Sequence, residues 1–231
     1  MTDATSSAPV KVLAWDGPTR LFKWALVGLV VSAVISDKAG GGSPTWHVWN
    51  GYAVLVLVVF RLLWGVVGGS TARFAGFLAS PIATIRYGLG LLRGREAHYL
   101  GHNPLGGWMV VALIALPGVM GVSGLFNADV DRMIVEGPLA AKLSDAAVTL
   151  AHRIHHNAFQ ILLICIVLHV AAVVFHAVVK KERLVPAMVT GKKPATDFAD
   201  PAPATPGSVV VALGCLIAAV VIVWGGIALM K

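Results

Sequence analysis

Charged residues are scarce in this sequence. They make up 13% of 231 residues, whereas hydrophobic residues make up 57%, and the mean hydropathy is +0.81. A water-soluble domain carries about 25% charged residues. The composition therefore excludes an ordinary soluble domain and predicts an integral membrane protein.

Cysteine is also rare. Cys165 and Cys215 both lie inside apolar runs, which excludes a disulfide framework and a cysteine-based metal site. There is no Cys-x-x-Cys-His motif, so covalent haem attachment is excluded as well. The first twenty residues have no apolar core before a small-residue cleavage site, and we expect no cleaved signal peptide.

Long apolar runs are what the sequence does contain. There are five of them, at residues 21–36, 48–69, 105–126, 154–179 and 209–230. About 20 residues are needed to cross the hydrocarbon core of a bilayer. The sequence therefore predicts an all-α membrane bundle of five helices. The arginine-rich stretch 74–93 is expected to form a helix in the membrane interface.

The distribution of basic residues predicts the topology. Eleven lysines and arginines fall in residues 1–20, 70–104 and 180–207, whereas five fall in the connections on the other side of the membrane. The positive-inside rule places the N-terminus in the cytoplasm and the C-terminus in the periplasm of a bacterial inner membrane. The net charge of +7 is then a topology signal rather than evidence for nucleic-acid binding.

Two histidines on the fourth apolar run point to a cofactor. His155 and His169 are fourteen residues apart, which places them on nearly the same helix face, about 21 Å apart along the axis. Polar rings inside a membrane need partners within the bundle. Two stacked haems would supply them, because each iron takes axial ligands from facing helices. His47 matches the depth of His155, whereas the residue at the depth of His169 is Lys23.

Other readings of these polar residues stay open. A histidine in a membrane helix can simply hydrogen-bond to its neighbour. His176 is expected at the membrane interface, or as a substitute ligand, and His98 and His102 are expected to be structural residues of a loop. Arg61 is the one charge deep in the second run, where a haem propionate would pair with it. Its alternative is to extend towards the interface.

A series of motifs resembles the bacterial cytochrome b561 family, which includes the b-type cytochrome subunits of membrane-bound hydrogenases. The resemblance covers about residues 12–193, and its matching stretches are Trp15-Asp16-Gly17-Pro18-Thr19-Arg20, His47-Val48-Trp49-Asn50-Gly51-Tyr52, Arg61-Leu62-Leu63-Trp64-Gly65, Ala72-Arg73-Phe74, Gly101-His102-Asn103-Pro104-Leu105-Gly106-Gly107, and Leu184-Val185-Pro186-Ala187-Met188-Val189-Thr190-Gly191.

The resemblance implies a four-helix core with two b haems. The outer haem would take His47 and His155. The inner haem would take His169 and the family histidine that follows the first motif by three residues, a position that is Lys23 here. Arg20 and Arg61 are the other expected cofactor-binding residues.

Lys23 is the departure from the family pattern. A lysine amine binds iron only after losing its proton, which burial favours. Alternatively, the side chain extends into the lipid headgroups, leaving His169 to hold a five-coordinate haem or none.

The expected organisation is a four-helix haem b domain at 1–193, a proline-rich linker at 194–207 and a C-terminal transmembrane helix at 208–231. We expect the last helix to serve partner docking and to be dispensable for haem binding. The expected function is electron transfer between the quinone pool and a c-type cytochrome, a hydrogenase or another dehydrogenase subunit. The alternatives are a stand-alone oxidase of superoxide or quinol, and a haem-containing membrane anchor.

Overall fold

The computed structural model describes residues 10–38, 44–129, 134–135, 137–196 and 198–230. Eight α-helices lie in this part of the chain: α1 (Gly17–Lys38), α2 (Pro44–Val67), α3 (Phe74–Phe77), α4 (Pro81–Leu92), α5 (Pro104–Leu125), α6 (Asp145–Val178), α7 (Leu184–Thr190) and α8 (Val209–Met230). The short strands β1 (Lys11–Leu13) and β4 (Lys192–Pro194) pair antiparallel, as do β2 (Ala128–Asp129) and β3 (Ile134–Val135).

Five of these helices, α1, α2, α5, α6 and α8, are long and apolar enough to cross a membrane. The predicted all-α membrane bundle is therefore confirmed. The stretch expected to form one interfacial helix is divided between α3 and α4 instead. The break occurs because Pro81 has no N–H to continue a helix from α3, and α4 starts afresh with Ser80 Oγ accepting the N–H of Ala83 at 3.3 Å.

Among the spanning helices, α1 packs against α2, α2 against α5 and α5 against α6, and α8 also packs against α2. Small residues bring α2 and α5 close together. A side chain on Gly121 would lie 2.6 Å from Leu55, so only glycine permits the observed separation. The largest core cluster joins Phe22 of α1, Val54 and Phe60 of α2, and Ile114 of α5.

The C-terminal helix α8 belongs to the same core. Its buried face repeats every three or four residues and consists of Ala212, Cys215, Ala219, Val223 and Ile227. Ala219 is fully buried against the cluster that contains Val54 and Val58. The helix is thus packed along α2 rather than held only by the segment that precedes it.

The end of the bundle formed by residues 10–16, 68–103, 180–196 and 198–208 is called the N-terminal face. Asp16 organises it, because its carboxylate accepts the N–H of Thr19 at the start of α1 and the N–H of Gly207 just before α8, at 2.9 and 3.3 Å. The Thr19 hydroxyl in turn accepts the indole N–H of Trp64 at 3.1 Å. The first sequence motif therefore connects α1, α2 and α8.

Two histidines converge on one carboxylate at this face. Glu182 Oε1 is 2.7 Å from Nδ1 of His98 and Glu182 Oε2 is 2.8 Å from Nδ1 of His176, so the loop after α4 is connected to the end of α6. The hydrogen bond with His176 is the main cause that lowers the pKa of Glu182 from 4.5 to about 2, and the bond with His98 adds to it against the opposing effect of burial.

Replacing Glu182 by glutamine is expected to lower the melting temperature of the purified protein. The loss at neutral pH corresponds to about 1 kcal/mol, because half-exposed charge-assisted hydrogen bonds are weakened by solvent. The folded-state pKa is depressed, so this stabilisation is complete above pH 4.5 and disappears as the pH falls towards 2. Melting curves of both proteins should therefore converge over that range. Parallel curves for Glu182→Gln over this range would contradict the assignment.

Candidate functional site

His47 and His155 face each other at the end of the bundle opposite the N-terminal face. His47 lies in the first turn of α2, and His155 lies in α6, in the half near the α5–α6 connection. Their ring centroids are 6.3 Å apart and their planes are inclined by 67°. Helices α2 and α6 approach here through the two side chains rather than through close backbone packing.

The ring of His155 is oriented by α5. Its Nδ1 lies 2.9 Å from the carbonyl oxygen of Met120, and since a carbonyl only accepts, the Nδ1 atom carries the proton. The lone pair is therefore on Nε2. Gly124 permits this approach, because a Cβ at that position would lie 3.3 Å from the imidazole.

The tautomer of His47 follows from a similar argument. The Ser36 hydroxyl donates its one proton to the carbonyl of Ala33 at 2.8 Å. Its contact of 3.1 Å with Nδ1 of His47 must then be one in which the Ser36 oxygen accepts. This bond places the proton of His47 on Nδ1 and the lone pair on Nε2. Metal-binding histidines usually have their second nitrogen held in this way.

The distance between the rings fits a shared metal ion. Metal–imidazole bonds are about 2 Å long, so two imidazoles on opposite sides of one ion have ring centroids about 6 Å apart. The observed separation of 6.3 Å and the tautomers of His47 and His155 match this requirement. The two residues are thus placed where both could bind one metal ion, such as the iron of a haem.

Lys23 lies near the other end of α1, with its amine directed into the protein. The Nζ atom donates to Sδ of Met188 at 2.9 Å and lies 3.9 Å from the centroid of a Trp15 ring. Neither partner is an acid, and no salt bridge joins Lys23 to a carboxylate within the described part of the chain. The amine therefore contacts Met188 and Trp15 rather than pointing away from the protein.

His169 is exposed on the face of α6 and has no hydrogen-bond partner among the residues that the structure describes. The structure therefore brings His47 and His155 together, whereas it shows no direct contact between His169 and Lys23 within the described ranges. His176, the possible substitute ligand, is bonded to Glu182.

Arg61 is 2% exposed, so it does not extend to the surface. Its Nη2 atom donates to the carbonyl of Ala72 at 2.9 Å, and its guanidinium lies 4.7 Å from the ring of Phe74. Its Nη1 atom is buried without an acceptor, and so is Nε of Arg20, whose Nη1 donates to the carbonyl of Val189. Buried donors without acceptors cost free energy, and a carboxylate of a bound group would satisfy them.

His102, for which the sequence predicts a structural role in a loop, lies in an unusual environment. Its ring lies 4.6 Å from Trp15 and 4.7 Å from Phe77, and its Nδ1 atom is buried without a partner. Burial and the positive charges of Lys23 and Arg61, with smaller effects of Lys193 and His169, hold the pKa of His102 well below 6.5. His102 is thus part of the same region as Lys23 and His169. Its position in the Gly101-His102-Asn103-Pro104 motif is the sequence feature that could have indicated this location.

Comparison with known proteins agrees with this arrangement. A family model described as prokaryotic cytochrome b561 matches residues 14–191. A search of curated proteins and a search of solved structures each found no match. The matched range includes α1, α2, α5 and α6, and with them all the candidate ligands, and it ends before α8. The chain therefore belongs to the prokaryotic cytochrome b561 family, and it is a multi-pass membrane b-type haem protein of electron transfer.

Proposed function

We propose that this chain passes electrons between a membrane quinone and a protein redox partner through two b haems. The observation that carries the proposal is the His47–His155 pair, with its ring separation of 6.3 Å and its two Nδ1 atoms held by other helices. Bound haem supplies reversible one-electron chemistry at its iron. The protein supplies the ligands, their orientation and a low-dielectric surrounding.

His47 and His155 would hold the iron of the outer haem. Ser36 and the Met120 carbonyl hold the Nδ1 atom of each ring, so each residue would offer its Nε2 atom to the iron. An iron held by two imidazoles would supply one-electron chemistry. This arrangement suits electron transfer rather than bond-making chemistry at the iron.

Lys23 and His169 are proposed as the ligands of the inner site. The lysine amine is buried, points into the protein and is not paired with an acid among the described residues. An N–H of this amine is directed to Met188, which leaves the nitrogen lone pair of a neutral amine available for a metal. Arg20 and Arg61 have buried donors for propionates. Two bound haems would therefore give a metal partner to the amine of Lys23, and acceptors to the donors of Arg20 and Arg61 that lack them among the described residues.

A lateral groove supports the quinone part of the proposal. It has a volume of about 490 Å³ and lies between α5 and α6, beside Ser123, whose hydroxyl is 3.5 Å from Nδ1 of His155. The walls are apolar and include Val119, Val122, Phe126, Leu150 and Ile154. Binding sites for small molecules are typically apolar with a few polar groups. An isoprenoid quinone could reach the outer site from the lipid through this groove.

The orientation is part of the proposal. The positive-inside rule places the N-terminal face, with Arg73, Arg86 and Lys180, in the cytoplasm, and the His47–His155 site near the periplasm. A periplasmic c-type cytochrome, a hydrogenase or another dehydrogenase subunit would then meet the outer site at the α5–α6 connection. The role of α8 in partner docking stays a prediction.

The outer site can be tested by replacing its two proposed ligands and the serine that holds one of them. Alanine at His47 or at His155 should remove one b-type signal from the absorption spectrum. Ser36→Ala removes the acceptor for Nδ1 of His47 and should weaken retention of that haem by about 10-fold to 100-fold, measured by transfer to a haem scavenger.

Ser32→Ala is the matched control, because Ser32 lies one turn earlier on α1 and accepts only from Trp46, at 3.2 Å. It should leave haem retention unchanged. Full haem content and an unchanged spectrum in both alanine variants of the ligands would refute the assignment.

The inner site is tested by haem stoichiometry and by Lys23. The purified protein should hold two low-spin haems, and Lys23→Ala should convert one of them to high spin. Lys23→His should preserve two low-spin haems, because it restores the ligand type expected from the family. Carbon monoxide binding by the unmodified reduced protein would instead indicate an open iron, as an oxidase of superoxide requires. One haem, unaffected by changes at Lys23, would refute the two-haem proposal.

Removal of α8 by truncation after Pro206 should leave both haem signals in place. The helix carries no candidate ligand, and the apolar face of α2 that it covers can be covered by lipid at little cost, because lipid tails are as apolar as the helix. The measurement is haem content per chain of the truncated protein against the full chain. Loss of haem would show that the four-helix domain is not separable from α8.

A further inference from the structure

His102 is held in place along its backbone on both sides. Before it, the Asp200 carboxylate accepts the N–H of Leu100 at 2.5 Å and that of Gly101 at 2.8 Å. After it, the Asn103 side chain accepts the N–H of Gly106 at 2.7 Å and so caps the start of α5. The position of the His102 ring is therefore set by the segments around it rather than by a bond of its own.

The ring of His102 is also clamped by its neighbours. Trp15 and Phe77 pack on it with centroid distances of 4.6 and 4.7 Å. Trp15 is 1% exposed, and hydrogen bonds from the N–H groups of Ala14 and Trp15 to the Gly191 carbonyl, at 2.8 and 3.0 Å, fix its backbone. Gly191 has φ 81°, a conformation that favours glycine, and a Cβ there would lie 2.6 Å from the Trp15 carbonyl oxygen. Both rings are thus rigidly placed.

Two polar atoms of this rigid pair are nevertheless without partners. Nε1 of Trp15 and Nδ1 of His102 are both buried and have no hydrogen-bond partner among the residues that the structure describes. An indole N–H can only donate, an imidazole nitrogen donates when it carries the proton, and buried polar groups in native proteins are almost always hydrogen-bonded. Two neighbouring groups that are fixed, unpartnered and able to donate point to an acceptor from a bound group.

The charges of the region favour an anion as this acceptor. Arg61 and Lys193 both act on His102, and the Nη1 atom of Arg61 is buried without a partner among the described residues. Asp16 and Asp200 already accept backbone N–H groups with both carboxylate oxygens. A guanidinium with an unused donor is well matched by a further carboxylate.

We propose that Trp15 and His102 form a carboxylate-binding cap that holds one propionate of the inner haem at the N-terminal face. The inference rests on the proposed function, because it requires a haem between Lys23 and His169. His102 precedes α5 and lies at the end of the bundle rather than within a span. It therefore donates to a propionate and does not coordinate the iron. Arg61, whose Nη1 atom also lacks a partner among the described residues, lies further into the bundle and would donate to the carboxylates at the same edge of the haem.

The test compares the midpoint potentials of the two haems in the full-length protein and in His102→Phe. Phenylalanine keeps an aromatic ring between Trp15 and Phe77 and removes the donor. Two low-spin haems should remain, and the inner haem should shift to lower potential, because a less neutralised propionate favours ferric iron. His102→Gln retains an N–H and should show a smaller shift. Trp15→Phe should shift the same haem in the same direction.

His98→Phe is the matched control, since it makes the same change four residues away in a histidine whose ring is bonded to Glu182. It should leave both potentials unchanged. Loss of a low-spin signal in His102→Phe would make His102 an axial ligand and overturn the inference, as would unshifted potentials in both His102→Phe and Trp15→Phe. A single haem in the unmodified protein would overturn the two-haem function as well, and that result is visible before any variant is made.

Discussion

The hydrogen bond from Nδ1 of His155 to the carbonyl of Met120 is the interaction on which the outer site depends. Lipid offers no hydrogen bonds, so an imidazole within a membrane bundle must find its acceptor on another helix. Here the acceptor is a backbone carbonyl of α5, and Gly124 leaves space for the ring to reach it. The bond therefore fixes the position of α6 relative to α5 and the direction of the Nε2 lone pair at the same time.

The N-terminal face is organised in the opposite manner. Around His47 and His155, acceptors hold the protons of two imidazoles, whereas around Trp15 and Arg61, several buried donors lack acceptors. In the first region the Nδ1 atoms of both imidazoles have partners. In the second, donors remain without partners among the described residues, and an anion would supply them. This difference agrees with a cofactor that has both a metal and carboxylates, because the metal needs ligands from the protein whereas the carboxylates need hydrogen-bond donors.

Much of the architecture follows from hydropathy alone, because a spanning helix must be both apolar and about 20 residues long. The five spans, the membrane location and the family were predicted correctly on that basis and from the ordered motifs. The sequence did not predict the division of the interfacial helix at Pro81 or the packing of α8 along α2. Both depend on local backbone geometry or on tertiary contacts. Ser36 and Met120 had no signal in the sequence, since a hydroxyl and a backbone carbonyl acquire their roles only when another helix approaches.

The length of α6 has a consequence for the spacing of the two proposed haems. The helix is continuous over 34 residues, which is about 51 Å, whereas the hydrocarbon core is about 30 Å thick. A helix that exceeds the bilayer responds to thinner or thicker lipid by tilting as a unit. His155 and His169 lie on this one rigid rod, so their separation of about 21 Å does not change with the tilt. Lipid composition would therefore alter the path from each site to the aqueous phase while the interval between the sites stays constant.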